Sequence, residues 1–580
     1  MGKQDSSRIR VLFGLVAIVA GLVAWRLFVL SITEHTFYAQ TAQAQDQGIG
    51  NVLVRGNIYI QDPKAGAGSD DRYVVATDKK FPYAYVNPSK VSDSGAVENA
   101  IQSVLGTDPQ TIAPAISAKQ NITKVLERKI TDDQAFQIKN LNLAGLGVQY
   151  EMDRYYPAGT MLSSVLGYYG FDSQGRSGQY GVEAYLNDEL DGTVTNAAQA
   201  ADASSKTGGF LSDVKNFFST GNTEGATTPR PADVVLTIDR NIQSFIENEL
   251  KATMDKWHAS GGTVIVQEPQ TGKILAMADW PNFDPNDYGS FPAGNYLNRS
   301  VQATFEPGSS FKPMTMAMGL DLDKVTPDTT YTDPGVITFG SFNIYNFDHK
   351  SHGTVDMTTV LEDSLNTGAA FVENLVGQQK FLDYSINFGY GQKTGIDLPG
   401  EVNGNIANLY SGRQVNFTTA SFGQGIAVTP LQLIDAYSAI ANGGKVMRPY
   451  VVDKVMYENG SVQETKPQVV SIPITPQTAS TLSQMLVNVV DKGFDKARVP
   501  GYTVAGKTGT AQIPDPNGGY EQGTFIHDFL GFAPASDPKF VVLVKMDRPQ
   551  GITYAADSLS PVFAAIAKYL INYYNIPPDR

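Results

Sequence analysis

The order of strand and helix patterns in the C-terminal half constrains the fold of this chain more than any other feature. Five apolar runs with strand character fall into two groups, two before and three after a long helical middle: 263–268, 273–279, 502–506, 529–533 and 540–545. A final helical pattern begins at Ser560-Pro561, with Ser560 predicted as its N-cap. This order predicts an α+β domain in which helices cover an antiparallel five-stranded sheet.

One apolar run near the N-terminus, residues 11–32, is long enough to cross a membrane. As a helix it would span about 33 Å, which matches the hydrocarbon thickness of a bilayer. Lys3, Arg8 and Arg10 precede it, so the positive-inside rule predicts a cytoplasmic tail at residues 1–10 and an extracytoplasmic remainder. A cleaved signal peptide is the alternative, but its apolar region would be shorter. We therefore expect a retained single-pass anchor.

The region between the anchor and the strand-rich half has two parts. Residues 34–193 combine short β-rich runs with helical ones such as 131–141, and they contain no catalytic pattern. Residues 194–232 are rich in Ala, Ser, Thr, Gly and Asn, a composition typical of a flexible linker or an insertion. The sequence thus predicts a separate β-rich domain, a linker, and a last domain over residues 233–575.

Charge and cysteine content exclude several kinds of function. The formal net charge is −14 at pH 7, whereas binding to a nucleic-acid backbone requires clustered Lys and Arg. Cysteine is absent from the sequence, which excludes disulfides, thiolate zinc sites and cysteine nucleophiles. We expect no nucleic-acid partner.

Three short patterns could carry catalytic chemistry: Ser309-x-x-Lys312, Ser364-x-Asn366 and Lys507-Thr508-Gly509. Each pattern also occurs elsewhere, so its surroundings must select the functional copy. The other copies begin at Ser212 and Ser536, at Ser341 and Ser385, and at Lys206 and Lys393.

The copy at Ser309 has the right surroundings for a serine nucleophile with a lysine base. Residues i and i+3 share one face of a helix, so Lys312 reaches Ser309 only if this segment is helical. Pro307-Gly308 precedes it, a buried apolar run follows it, and Pro313 falls in the first turn, where proline is tolerated. By contrast, Ser212 lies in the low-complexity region and Ser536 in a hairpin turn.

The other two patterns are placed where a serine-lysine pair could use them. Ser364 lies between two helical runs, as a proton relay on an interhelical loop would, with Asn366 beside it. Lys507, Thr508, Gly509 and Thr510 continue an apolar strand, whose alternating side chains could hold a substrate carboxylate. Gly509 would leave room for a substrate backbone to pair alongside.

Two competing interpretations are weaker. Residues 501–508 match the phosphate-binding loop pattern, but such a loop must open a helix, and the residues around Pro514 cannot form one. Asp348, His349 and His352 could bind a metal, but this set is incomplete for zinc, and a solvated loop explains it better. We predict neither a nucleotide nor a metal site.

These patterns, in this order, resemble those of class B penicillin-binding proteins. The resemblance rests on residues 305–312, the Ser364-Leu365-Asn366 loop and residues 505–512. Further matching stretches are 55–58, 154–157, 181–183, 421–425 and 429–432. Two places depart from the family: the chain has Ile60-Gln61-Asp62-Pro63 where an Asp-Arg-Asn-Gly-like turn is usual, and residues 196–231 have no counterpart.

The resemblance implies a non-catalytic pedestal or dimerisation domain over residues 34–193 and a penicillin-binding transpeptidase domain over 233–575, without a glycosyltransferase domain. It implies a serine D,D-transpeptidase that cross-links peptidoglycan stem peptides, is inhibited by β-lactams and needs no cofactor. A membrane glycan polymerase of the septal or elongation machinery is the implied protein partner. Cell division is favoured over side-wall synthesis.

The resemblance also implies the role of each site residue. Ser309 would attack the carbonyl between the last two D-alanines, with Lys312 as its base, and an amine on a neighbouring strand would resolve the acyl-enzyme. Ser364 would relay a proton to the leaving nitrogen, and Asn366 would position the substrate amide. Lys507 would keep Lys312 neutral, and the backbone N–H groups of Ser309 and Thr510 would form the oxyanion hole. Thr508, Gly509 and Thr510 would bind substrate.

Two alternatives stay open at this point. A β-lactamase or penicillin sensor of the same fold would need a group that activates water, and no Glu-rich loop of the class A kind is present. A non-catalytic scaffold that activates a glycan polymerase could share the anchor and pedestal.

Overall fold

The computed structural model describes residues 55–63, 71–171, 175–192, 231–340, 342–493 and 495–580. The predicted anchor at 11–32 and nearly all of the predicted linker at 194–232 lie outside these ranges. Among the helices that are described, none is both long and apolar enough to span a bilayer. The chain divides into two compact units, and the described part of the smaller one is 78–154. The larger one contains 55–77 and everything from 155 onward.

Short elements make up the chain as far as residue 192. In chain order they are β1 (Ile58–Gln61), β2 (Arg72–Val86), α1 (Ser94–Ala100), α2 (Ala113–Ser117), β3 (Lys124–Glu127), α3 (Asp132–Leu141), β4 (Leu146–Tyr155), α4 (Ser163–Leu166), β5 (Tyr168–Phe171), β6 (Arg176–Gln179), α5 (Gly181–Tyr185) and α6 (Asn187–Leu190).

From residue 231 to the middle of the chain, strands are interspersed with helices. They are β7 (Asp233–Asp239), α7 (Arg240–Trp257), β8 (Gly261–Gln267), β9 (Ile274–Trp280), α8 (Arg299–Gln302), α9 (Lys312–Asp321), β10 (Thr330–Asp333), β11 (Val336–Phe339), β12 (Phe342–Tyr345), β13 (Gly353–Asp356), α10 (Met357–Glu362), α11 (Asn366–Val376) and α12 (Gln378–Asn387).

The last part of the chain returns to long strands. It contains α13 (Gln414–Ala420), α14 (Pro430–Ala441), β14 (Val446–Met447), β15 (Val452–Met456), β16 (Val462–Glu464), β17 (Val469–Ser471), α15 (Pro476–Asn488), β18 (Ala505–Pro514), β19 (Tyr520–Ala533), β20 (Phe540–Asp547), α16 (Ala555–Ser558) and α17 (Ser560–Tyr573).

The smaller unit is a mixed α+β unit, so the prediction of a β-rich domain is wrong for it. Strand β3 pairs with the end of β2, strand β4 also pairs with β2, and short helices fill the rest. Helix α3 begins at the predicted place because Thr131 and Gln134 form a capping box. The helices were hard to predict because most have fewer than ten residues, too few for a clear apolar period. The buried apolar residues of this unit form two small cores. One contains Val86, Val91, Val97, Ile101, Ile112 and Ile116, and the other contains Ala84, Ile130, Ala135 and Ile138.

The predicted five-stranded antiparallel sheet is confirmed in the larger unit. Its strand order is β18-β19-β20-β8-β9, and each neighbouring pair is antiparallel. Helices α7 and α17 cover one face, and α9 and α14 lie on the other side. A second sheet of the same unit joins β16, β15, β7, β1 and the start of β2, with β1 parallel to β7.

Two details of the last domain differ from the sequence expectation. Strand β18 starts at Ala505 instead of Tyr502 and continues to Pro514, so the Lys-Thr-Gly motif lies inside the strand, as predicted. Ser560 is not the N-cap of α17, since Leu559 holds that position without a side-chain cap. A capping serine needs extended backbone, whereas the short helix α16 leads into α17 with Leu559 at φ −107° and ψ −24°.

Candidate active site

Ser309 lies in a tight helical turn that precedes α9. Residues Gly308–Phe311 form a 3-10 helix, and α9 begins at Lys312 with Pro313 in its first turn, as predicted. In a 3-10 turn residues i and i+3 lie almost directly above one another. The Lys312 Nζ accordingly donates a hydrogen bond of 3.0 Å to the Ser309 Oγ. A serine hydroxyl and a lysine amine are therefore held in contact by the local backbone.

Ser364 lies in the loop between α10 and α11, as the sequence predicted. Its backbone has φ 55°, a left-handed conformation that is uncommon for a residue with a side chain. Lys312 Nζ donates to the Ser364 Oγ at 3.1 Å and also to its carbonyl oxygen. Strained conformations of this kind cluster at functional sites, where the surrounding structure holds them. Here the conformation brings both oxygens of Ser364 to the side-chain nitrogen of Lys312.

Lys507 reaches the same serine from the edge strand β18. Its Nζ donates to the Ser364 Oγ at 3.0 Å and to the Thr508 carbonyl at 3.3 Å. Three segments that are distant in sequence thus form one hydrogen-bonded chain, from Ser309 through Lys312 and Ser364 to Lys507. Such a chain can carry a proton from one hydroxyl to the other.

Both lysines are buried, and burial changes their proton affinity. Lys312 is 1% exposed and Lys507 is 0% exposed. Burial lowers the pKa of Lys312 well below its ordinary value, and the nearby charge of Lys507 lowers it further. Burial also lowers the pKa of Lys507 to about 7, although Asp528 opposes this shift. A neutral Lys312 beside a protonated Lys507 is the arrangement that a lysine base requires.

Glycines allow these segments to approach backbone to backbone. The Gly308 N–H donates to the Gly423 carbonyl at 3.0 Å, and a Cβ on Gly423 would lie 2.1 Å from the Gly308 oxygen. A Cβ on Gly509 would lie 2.6 Å from the Pro307 oxygen. Contacts that short are sterically forbidden, so the turn that holds Ser309 can pack against the Gly423 loop and against β18 only because glycine stands at positions 423 and 509.

The remaining predicted site residues lie beside the chain of hydrogen bonds. Asn366 is the first residue of α11, and its side-chain amide donates to the Tyr345 carbonyl at 2.8 Å. The Thr510 hydroxyl accepts a bond of 3.2 Å from the Ala555 N–H. Thr508 is buried within β18. The roles predicted for Asn366, Thr508, Gly509 and Thr510 in substrate binding stay predictions.

The other copies of the motifs have structural surroundings wherever they are described. Ser385 lies within α12 and donates to the Phe381 carbonyl, and Ser536 is exposed and bonds to Asp579. Thr394 bonds to Glu401, and Lys393 before it is exposed. The copies at Ser212 and Lys206, and Ser341 itself, lie outside the described residues. Residues 501–508 lead into a strand and not into a helix, so they lack the geometry of a phosphate-binding loop.

His352 of the candidate metal loop lies close to two carboxylates. His352 Nε2 lies 3.1 Å from the Asp348 Oδ2, and its Nδ1 lies 3.7 Å from the Asp363 Oδ2. Within the described ranges, no group of three or more His, Cys, Asp or Glu residues could hold a metal ion.

Two acidic residues around the site were missed by the sequence analysis. Glu306, which lies shortly before the turn that holds Ser309, accepts hydrogen bonds of 3.0 Å from the Gly425 N–H and from the Tyr520 hydroxyl. Asp528 is fully buried in β19 opposite Gly509. A carboxylate inside an otherwise apolar strand pattern was the signal for Asp528, because buried acids are rare without a specific role.

Comparisons with known proteins agree with this geometry. Residues 262–568 match the family described as "Penicillin binding protein transpeptidase domain", and residues 54–216 match the "Penicillin-binding Protein dimerisation domain". The chain is 33% identical over 532 residues to Stage V sporulation protein D of Bacillus subtilis, covering 90% of this chain and 80% of that protein. It is 29% identical to Peptidoglycan D,D-transpeptidase FtsI of Escherichia coli, covering 85% and 81%.

Solved structures with the same fold include penicillin binding protein 3 of Mycobacterium tuberculosis. The apo form aligns with a TM-score of 0.64 at 29% identity and covers 74% of this chain and 92% of that one. The same protein complexed with aztreonam aligns with a TM-score of 0.63 at 28% identity, over the same shares of both chains. A complex with ampicillin is also similar, with a TM-score of 0.64.

Proposed function

The chain belongs to the class B penicillin-binding proteins and is a peptidoglycan D,D-transpeptidase of the serine type, and we propose that Ser309 is its nucleophile. The observation that carries this assignment is the hydrogen bond of 3.0 Å between the Lys312 amine and the Ser309 hydroxyl. The two other described serines of the motif copies have different partners, since Ser385 donates to the Phe381 carbonyl and Ser536 to the Asp579 carboxylate.

The reaction begins with proton transfer from Ser309 to Lys312. The Oγ then attacks the carbonyl between the last two D-alanines of a stem peptide, which gives a tetrahedral intermediate. The proton moves from Lys312 through the Ser364 hydroxyl to the leaving nitrogen, and D-alanine departs. The hydrogen bonds of Lys312 and Lys507 to the Ser364 Oγ, at 3.1 and 3.0 Å, support this relay. An amine from a second peptide then attacks the ester and restores the serine.

Charge that develops on the substrate would be stabilised by groups of the Ser309 turn and of β18. The backbone N–H groups of Ser309 and Thr510 would bind the oxyanion, and donors in this position stabilise it more than they stabilise the ground state. The substrate carboxylate would lie along the strand near Lys507, with the hydroxyls of Thr508 and Thr510 beside it. Asn366 would orient the substrate amide after it releases the Tyr345 carbonyl. β-Lactams would enter the same site and acylate Ser309.

Covalent labelling by a fluorescent penicillin tests the assignment. The wild-type protein should be labelled stoichiometrically, and Ser309→Ala should not be labelled at all. Ser385→Ala provides the matched control, because this buried serine also belongs to a Ser-x-Asn pattern, and it should label as the wild type does. Labelling of Ser309→Ala would refute the proposed nucleophile. Hydrolysis of a chromogenic cephalosporin with turnover would instead indicate a β-lactamase.

The finer organisation of the chain belongs to the same proposal. We infer a cytoplasmic tail at 1–10, a membrane anchor at 11–32, a pedestal at 34–193, a linker or insertion at 194–232 and the transpeptidase domain at 233–575. The apolar run and its preceding basic residues support the anchor. The catalytic domain would then lie outside the membrane beside its substrate, with a membrane glycan polymerase as partner. Growth rescue of a depleted strain by Ser309→Ala would reveal a scaffolding role.

A further inference from the structure

Asp528 is a buried acid on the face of the sheet that carries the active site. It is 0% exposed and lies on β19. In the strand register it stands opposite Gly509 on one side and opposite Lys545 on the other. Residues that are directly opposite each other point to the same face of a sheet, as do residues two apart on one strand. Asp528 and Lys507 are therefore diagonal neighbours on the same buried face.

The carboxylate of Asp528 occupies the space that Gly509 leaves open. A Cβ on Gly509 would lie 2.4 Å from the Asp528 Oδ2 and 2.6 Å from its Oδ1. Gly509 thus makes room for a protein carboxylate beside Lys507, in addition to the substrate backbone expected from the sequence. In the described part of the chain, neither oxygen of this carboxylate makes a well-aligned hydrogen bond, although the Ser310 hydroxyl lies close to it. A buried carboxylate in this condition is costly unless nearby charge stabilises it.

The other polar groups near Asp528 are already engaged. Lys545 forms an ion pair with Asp547, and its ammonium lies 4.9 Å from the centre of the Phe305 ring. The Tyr437 hydroxyl, which approaches from α14, donates to the Ser310 carbonyl at 2.7 Å. The Ser310 hydroxyl donates to the Pro307 carbonyl at 2.8 Å.

We propose that Asp528 is a positioning residue, the buried counter-charge that keeps Lys507 protonated while its neighbour Lys312 is neutral. The proposal rests on the function assigned above, because a neutral base and a cation side by side are what that reaction needs. Without an anion, two buried ammonium groups that share one serine would both tend to lose their protons. Asp528 breaks this symmetry because it lies on the strand that pairs with β18.

The proton affinities of these groups agree with such an arrangement. Burial raises the pKa of Asp528 to about 7, while the Ser310 hydroxyl and the charges of Lys545 and Lys507 oppose the shift. Burial lowers the pKa of Lys507 to about 7, and Asp528 is the charge that opposes this. The titratable groups that face the pair are Lys312 from α9, Lys545 from β20 and Tyr437 from α14.

The pH dependence of acylation separates this role from a structural one. The pH dependence of the second-order rate constant for acylation by a fluorescent penicillin reports the pKa values of the free enzyme. The decline of this rate constant at high pH, its alkaline limb, follows the loss of the Lys507 proton. Asp528→Asn keeps the shape of the side chain but removes its charge. We expect the alkaline limb to move to lower pH by about one unit, the size of shift that a neighbouring charge produces. At pH values on the alkaline limb, the rate constant of acylation should therefore be roughly tenfold lower in the variant than in the wild type.

Asp547→Asn is the matched control. Asp547 pairs with Lys545 on β20, and the register places it opposite Ile526, two strands away from β18, so its removal deletes a carboxylate that is not a direct neighbour of Lys507. The alkaline limb of this variant should stay at the wild-type pH. Asp528→Ser removes the same charge with a smaller side chain and should shift the limb as Asp528→Asn does.

Three results would overturn the proposal. The first is an unshifted alkaline limb in both Asp528 variants, and the second is an equal loss of activity at every pH. The third is a loss of folding in both variants while Asp547→Asn folds, which would make Asp528 a residue of stability only. Failure of the underlying function is distinct from these results, because wild-type protein would then not be acylated at any pH.

Discussion

The two faces of the five-stranded sheet differ in what they bury. The face toward α7 and α17 is apolar, and its strand residues include Val264, Val266, Phe529, Val542 and Val544. The opposite face carries a polar row that crosses four strands: Asp528, Lys545, Thr263 and Asp279, beginning next to Gly509. Buried charges seldom stabilise a fold as well as apolar side chains of the same size. The comparison teaches that the first face buries apolar side chains, whereas the second adds a polar row beside the candidate site to an apolar core that includes Leu530 and Leu543.

The largest effect on activity should come from Lys312, which lies on α9, on the side of the sheet that carries the polar row. Lys312→Met keeps the length of the side chain but removes the base. We expect the rate constant of acylation by a fluorescent penicillin to fall on the order of a thousandfold, the typical contribution of general base catalysis. The free energy of unfolding should not decrease, because a buried amine that is costly to protonate is replaced by an apolar side chain of similar length. A rate within tenfold of wild type would show that another group is the base.

The largest effect on stability should come from the apolar face. The ring of Phe529 is fully buried, and its centre lies 4.5 Å from that of Phe563 on α17. Phe529→Ala leaves a cavity, so we expect the free energy of unfolding in urea to fall by about 3–5 kcal/mol. Acylation of the protein that remains folded should be nearly unchanged. A specific loss of acylation without loss of stability would contradict the division between the two faces.

A smaller effect is expected at the far end of the polar row. Burial raises the pKa of Asp279 above its ordinary value of 3.8, although hydrogen bonds from Thr263, Ser164 and Ser300 oppose this. Proton uptake therefore stabilises the folded state fully below pH 3.8, and this stabilisation is lost as the pH rises through the raised pKa. Asp279→Asn cannot ionise.

The free energy of unfolding of Asp279→Asn should thus depend less on pH than that of the wild type, in the range from pH 3.8 up to the raised pKa of Asp279. Urea titration at several pH values measures this dependence. The alkaline limb of acylation should stay in place, which distinguishes this end of the row from Asp528. An unchanged pH dependence of stability would mean that Asp279 keeps an ordinary pKa.

The smallest effect is expected at the second Lys-Thr-Gly copy. Lys393 is exposed in a loop, whereas Lys507 is buried in a strand. Lys393→Ala should leave both acylation and melting temperature at their wild-type values, and Lys507→Ala should abolish most acylation. Equal losses in the two variants would mean that the three-residue pattern, and not its position in the sheet, carries the function.

Sequence patterns predicted those parts of the fold that depend on local periodicity. The five strands were found because long apolar runs and turn residues mark them. The motif Ser309-x-x-Lys312 was distinguished from its copies by the helix that follows it. Ser560 was misjudged as a cap because the conformation of Leu559 depends on the preceding helix, which short sequence patterns do not encode.

The electrostatic part of the site could not be predicted from sequence. Whether Asp528 faces Lys507 depends on the register between β18 and β19, and a shift by one residue would turn it to the other face. The hydrogen bonds that Glu306 accepts from Gly425 and Tyr520 likewise join segments that are more than a hundred residues apart. Such contacts follow from tertiary packing alone.

A crystal structure of the wild-type protein after reaction with penicillin tests the central claim most directly. We expect continuous density from the Ser309 Oγ to the opened β-lactam, with the drug's carboxylate beside Lys507 and Thr508 on β18. Density for a covalent adduct on any other residue, or an intact and unreacted Ser309 beside bound penicillin, would contradict the account.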